Sequence, residues 1–137
     1  MLTDAYIDRI ARGVLDRTLP KSEWTHAAHF AAAVWMLTHR DAFAEMPDAI
    51  RAYNAATGVP NTETEGYHET ITLASLRAAR AWLANAGEGG LARALETLLA
   101  SPFGRSDWLL RYWTRERLFS AEARRAWVEP DVQPLPF

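Results

Sequence analysis

Between His26 and Leu37 the chain reads His-Ala-Ala-His-Phe-Ala-Ala-Ala-Val-Trp-Met-Leu, a run with no charged residue apart from its two imidazoles. Wrapped at about 100° per residue, such a run is apolar nearly all round. A helix with no polar face must be covered on every side, so the pattern predicts a bundle with this helix in its middle. With 137 residues, the chain has the length of one domain and can bury a core without disulfides or a structural metal.

The flanking sequence supplies the cover. Thr3 is expected to cap a first helix to Arg17, with Ile7, Ile10, Ala11, Val14 and Leu15 on one buried face. Leu19-Pro20-Lys21 breaks it, and Ser22 is expected to cap the central helix, which continues to His39. A third helix is expected from Asp41 to Thr57, stopped by Gly58, with Pro47 marking either a kink or the first turn. The polar loop from Val59 to Gly66 leads into a fourth helix to Ala86, and Gly87-Glu88-Gly89-Gly90 turns the chain into a fifth, Leu91 to Ala100. Ser106 is expected to cap a sixth segment carrying Trp108, Leu109, Tyr112 and Trp113, and Ser120 a last one through Trp127. Pro130, Pro134 and Pro136 exclude regular structure from 129–137, expected as an extended tail across the bundle. No stretch alternates with period two. The expectation is therefore all-α: one domain, residues 1–137, folded as an up-and-down bundle of about five to seven helices.

Composition narrows the chemistry. There is no cysteine, so any metal must be held by nitrogen and oxygen, and no thiol nucleophile exists. Arg105, Arg111, Arg115, Arg117, Arg124 and Arg125 gather late in the chain, but Asp107, Glu116 and Glu122 are interleaved and the net charge is -2. That pattern fits a solvated helical surface and gives no nucleic-acid stripe. No apolar run reaches the ~18 residues of a membrane span, and the N-terminus has no basic-then-apolar leader, which points to a cytoplasmic protein. The six tryptophans suit a core or a homodimer face. No organic cofactor is indicated.

Three of the four histidines fall in two stretches, Glu23-Trp24-Thr25-His26-Ala27-Ala28-His29 and Thr62-Glu63-Thr64-Glu65-Gly66-Tyr67-His68-Glu69-Thr70. If helices two and four run parallel, both stretches lie at the same end of the bundle. His26, His29 and His68 then become candidate ligands of one divalent metal ion, zinc, iron, nickel or manganese, with positions left for water and a small-molecule substrate. Glu23 and Glu69 are candidate catalytic carboxylates, as ligand, general base or orienting group. Glu23-x-x-His26 and Glu65-x-x-His68 have the spacing that pairs carboxylate with imidazole in bundle metal sites. Tyr53, Asn54, Asn61, Thr64, Tyr67 and Thr72 are candidates for the substrate pocket. Metal-dependent hydrolysis or group transfer is one expected function. The other is a non-catalytic module that binds a small ligand or self-associates, its histidines hydrogen-bonded within the core and its glutamates serving helix starts.

Trp24-Thr25-His26-Ala27-Ala28-His29 and Asn61-Thr62-Glu63-Thr64-Glu65-Gly66-Tyr67-His68-Glu69-Thr70, with Tyr53-Asn54 and Phe119-Ser120-Ala121-Glu122-Ala123-Arg124, resemble a family of small uncharacterised bacterial all-helical proteins. The resemblance spans most of the chain and implies no activity. In outline it is also similar to the damage-inducible bundle superfamily, whose metal is held by three histidines from separate helices. Here two of the three share one helix.

Overall fold

The central helix forms and is covered as its composition requires. In the computed structural model, which describes residues 2–137, α2 (His26–His39) contacts α1 (Asp4–Leu15), α3 (Ala42–Ala56), α4 (Glu69–Asn85) and α5 (Gly90–Ala100). Ala28 and the unbroken run from Phe30 to Met36 are buried. The alanines permit this, because a one-carbon side chain lets neighbouring helices approach closely from several directions. α6 (Arg115–Leu118) and α7 (Ala121–Arg125) complete seven α-helices among the described residues, with 3-10 turns at Lys21–Glu23, Pro102–Gly104 and Trp108–Arg111. No strand occurs among the described residues. The all-α bundle expected from the sequence is what the chain adopts.

Capping residues set the boundaries. Thr3 accepts from the Tyr6 amide, and Ser120 from Ala123, both as expected. α2 starts later than expected: Ser22 lies in a 3-10 turn, and Thr25 caps the helix by accepting the Ala28 N–H at 3.2 Å. The proline-initiated turn from Pro20 uses up Ser22 and Glu23 before the helix begins. Pro47 lies within α3, which starts at Ala42. Beyond α5 the regular structure is shorter than expected. Trp108–Arg111 forms only a 3-10 turn, and Thr114 rather than Ser106 opens the next helix by accepting the Arg117 amide.

The tail does lie across the bundle. The Val132 amide donates to the Tyr112 carbonyl at 2.9 Å, Asp131 accepts from both the amide and hydroxyl of Thr114, and Phe137 packs 5.9 Å from Phe103. No described helix is long and apolar enough to cross a membrane.

Candidate functional site

The start of α2 determines where the histidines go. His26 and His29 are three residues apart, so their side chains leave the helix about 60° apart, each heading its own i, i+4 row. His26 shares a row with Phe30, its ring edge-on at 5.2 Å, and its Nε2–H donates to the Phe103 carbonyl at 3.0 Å. His29 shares the other row with Ala33, and both line a cavity between α2, α3 and α4. Trp24 lies before the helix starts. It folds back over His29, with ring centroids 3.8 Å apart and planes 25° from parallel.

His68 stands one position outside α4 and caps it, its Nδ1 accepting the Ile71 amide at 3.1 Å. On the other side of the ring, Nε2–H donates to the Leu118 carbonyl at 2.6 Å. Both nitrogens are therefore engaged, which fixes the neutral tautomer with its proton on Nε2. Burial lowers the His68 pKa, partly offset by that hydrogen bond.

The three histidines thus do not converge. His26 faces the 3-10 turn at Phe103, His68 is tied on both sides, and among the described residues no three histidine, aspartate or glutamate side chains are grouped to hold a metal ion. The carboxylates diverge as well. Glu23 pairs with Arg9 at 2.8 Å on the outer side of α1, and neither it nor Glu69 lines the cavity. Glu69 opens α4, accepts from the Tyr67 hydroxyl at 2.5 Å and lies 3.9 Å from Arg51. Glu65 stays in the loop, its carbonyl accepting the Thr62 amide.

What does assemble is a pocket of about 360 Å³, lined by apolar groups from Trp24, Ala33, Met46, Ile50, Val59, Ile71 and Leu76. Its polar lining comes from His29, Asn54, Tyr67, His68, Thr72 and Ser75. Three of the six pocket residues expected from the sequence, Asn54, Tyr67 and Thr72, are in the wall. Tyr53 stands behind it, fully buried, edge-on to Trp24 at 5.6 Å with its hydroxyl donating to the Leu19 carbonyl at 2.8 Å. Burial raises its pKa, with a smaller contribution from Glu23.

Asn61 does not line this cavity but builds its rim. Its Oδ1 accepts from Asn54 Nδ2 at 3.1 Å and from the Tyr67 amide at 3.0 Å, while its Nδ2 donates to the Arg51 carbonyl. Gly66 permits this approach. Its φ is +82°, and a Cβ there would lie 2.7 Å from Asn61 Oδ1 and closer still to the Pro60 carbonyl oxygen. Thr64 is exposed in the same loop, its amide donating to the Thr62 hydroxyl. Thr72 donates to the His68 carbonyl at 2.8 Å.

His29 is chemically the odd member of the lining. It is only partly exposed, and neither ring nitrogen hydrogen-bonds to any described residue, although its ring faces the cavity. Its pKa is lowered to about 4 by burial, with a smaller contribution from His26. At neutral pH it is therefore an uncharged imidazole, able to donate through one nitrogen and accept through the other. Tyr67, whose pKa is raised by burial and then by Glu69, stays a neutral phenol.

Sequence reasoning missed Met46, Val59 and Ser75 in the wall. It also passed over Arg51, whose guanidinium lies 4.2 Å over the Tyr67 ring. Met46, Ile50 and Asn54 lie four residues apart in sequence along one stripe of α3, a signal available to anyone counting from Asn54 backwards. No family model, curated protein or solved structure matches the chain, so the resemblance in its motifs finds no support there.

Proposed function

We propose that this protein binds a small, mostly apolar molecule carrying one or two hydrogen-bonding groups in the cavity between α2, α3 and α4, with His29 as the polar anchor. The observation that carries this reading is the contrast among the histidines. His26 and His68 donate to backbone carbonyls, whereas His29 opens into an apolar cavity with both nitrogens unengaged. The His29 nitrogens are open to the cavity, so a ligand group that pairs with one of them replaces solvent there, a net gain of about 1 kcal/mol.

The wall chemistry fits this reading. A volume of about 360 Å³ is within the range of small-molecule sites, which combine apolar walls with a few convergent polar groups. Trp24 holds the imidazole plane by stacking, so His29 loses little freedom when it accepts a partner. No carboxylate hydrogen-bonds His29 among the described residues, so it lacks the orienting group that usually accompanies a catalytic imidazole. A metal-dependent enzyme using His26, His29 and His68 would require two of the three to leave carbonyl partners 3.0 and 2.6 Å away. Binding is therefore favoured over turnover.

A ligand-detected NMR screen of small aromatic and aliphatic amides, alcohols and carbonyl compounds tests the proposal. Binders should shift the Trp24 indole and His29 ring signals and compete with one another. Their affinity should fall at least ~10-fold in His29→Ala, the loss expected for one hydrogen bond to a buried group. In Ser75→Phe, which places a ring in the cavity, they should not bind. Compounds that bind wild type and Ser75→Phe equally well would remove the cavity from the explanation.

A further inference from the structure

On the outer side of Tyr67 lies a second cleft, of about 470 Å³, lined by Arg51, Asn61, Thr62, Glu63, Tyr67, Arg124 and Arg125. Three guanidinium groups thus meet one carboxylate, in a chain whose net charge is -2. What distinguishes this cluster from solvated surface arginines is how two of the three are held.

Arg124 reaches from α7 back to the loop, and its Nη1 donates to the carbonyls of Gly66 at 3.0 Å and Tyr67 at 3.4 Å. Its Nε is buried without a partner, and no carboxylate lies within ion-pair distance of it among the described residues. Arg51 is laid over the Tyr67 ring at 4.2 Å. Its carboxylate contacts are Asp48, an exposed neighbour one turn earlier in α3, at 2.9 Å, and Glu69 at 3.9 Å. Exposed pairs of that kind contribute only about 0 to 1 kcal/mol. Arg124 is therefore oriented by carbonyl oxygens, which fix position without cancelling charge, while Arg51 is laid on a ring face and shares its charge with Asp48 and Glu69. Arg125 pairs with Glu63 at 3.2 Å, so the cleft's one acidic group is offset only in part and at the expense of one guanidinium.

We propose that this cleft binds the oxyanion of a small molecule, a carboxylate or a phosphate group held between the guanidinium groups of Arg51 and Arg124. The planar fork of guanidinium donors matches both groups. Prior orientation by Tyr67 and the loop carbonyls means that little side-chain freedom remains to be lost on binding. The Thr62 hydroxyl adds a neutral donor on the same wall. The site is separate from the α2–α3–α4 cavity, with Tyr67 as the wall common to both.

The experiment is a titration of the full chain with inorganic phosphate, with succinate and with sodium chloride at matched ionic strength. It follows the arginine Nε–H signals and the amides of residues 62–67 by NMR. The proposal expects saturable shifts at Arg51 and Arg124 with phosphate or succinate and none with chloride. Tighter binding of phosphate assigns a phosphoryl ligand, and tighter binding of succinate a carboxylate. Arg51→Gln should weaken binding at least ~10-fold, the scale of one charge-assisted contact. Glu63→Gln, which removes the cleft's negative charge while leaving the loop backbone alone, should strengthen it. Shifts that stay linear and follow ionic strength, or equal affinities in wild type, Arg51→Gln and Glu63→Gln, overturn the proposal. Those two surface variants keep the test decisive even if Arg124→Gln loosens the loop.

Discussion

Acidification should expose how His29 is held. In the folded chain its pKa is about 4, against 6.5 for an unperturbed histidine. Between these values the unfolded chain binds the proton and the folded chain does not. Stability is therefore complete above about pH 6.5, falls as pH drops towards about 4, and is insensitive to this group below that. The gap between these values amounts to about 3 kcal/mol. The face of Trp24 returns about 1 kcal/mol to a protonated ring through cation–π attraction, so the net loss by about pH 4.5 is on the order of 2 kcal/mol. Carboxylates held low act in the same direction only at lower pH: Asp8 by its hydrogen bond to Arg12, Asp107 by Arg105, Asp131 by the Thr114 amide. Urea denaturation at about pH 7, 5.5 and 4.5 of wild type and His29→Phe separates the contributions, because phenylalanine keeps the stack and cannot titrate. Wild type should lose about 2 kcal/mol more than the variant. If the two lose stability in parallel, or if the His29 ring titrates by NMR near 6.5, the desolvated imidazole is not as described here and the proposed anchor loses its basis.

Two further substitutions test the scaffold around the cavity. His68→Ala removes a helix cap and leaves the Ile71 amide and Leu118 carbonyl unpartnered, so a loss of about 3 kcal/mol or more is expected in chemical denaturation. His68→Asn, which restores only the cap, should recover about 1 kcal/mol of it, and equal losses in both would contradict the capping role. Gly66→Ala forces a Cβ into a left-handed position against Asn61, which holds both Asn54 and Tyr67. Its expected cost is about 2 to 4 kcal/mol, combining backbone strain with disrupted loop hydrogen bonds, and a change below about 0.5 kcal/mol would show that the loop is not built this way.

The central helix was legible because its signal is a composition, and burial on all sides follows whatever the exact boundary. Pocket membership was half legible for a different reason. Asn54 and Thr72 face the cavity from helices whose phase the apolar stripes fix, whereas Asn61, Thr64 and Tyr67 sit in a loop whose path depends on Gly66 and on Asn61's own hydrogen bonds. The alignment of Glu23 with the histidines failed on three residues of boundary. Starting α2 at Ser22 makes Glu23, His26 and His29 one helical ladder. Starting it at His26 leaves Glu23 in a 3-10 turn beside Arg9 and frees Trp24 to stack on His29. The choice between Ser22 and Thr25 as cap is local, and both residues are good caps. Spacing within a motif carries geometric meaning only once the helix that contains it is placed.

The fate of His26 and His68 follows from the other end of the chain. From residue 101 onwards helical segments are five residues or shorter, and a short helix leaves most of its carbonyls without an internal partner. Side-chain donors from the bundle and from the segment itself take up that demand. His26 reaches Phe103 and His68 reaches Leu118, while Thr70 donates to Ala126, Trp113 to Val128, Arg117 to Glu129 and Gln133 to Arg111. Buried backbone acceptors must be paired somewhere, and an irregular C-terminal third packed on a helical bundle draws some of its partners, His26, His68 and Thr70, from the bundle. Two of the three motif histidines are therefore accounted for by backbone satisfaction alone. His29 is not, because the elements facing it, α3 and α4, are regular helices that satisfy their own carbonyls. An imidazole presented to such walls finds its partner in whatever enters the cavity, and that places the functional question on this one side chain.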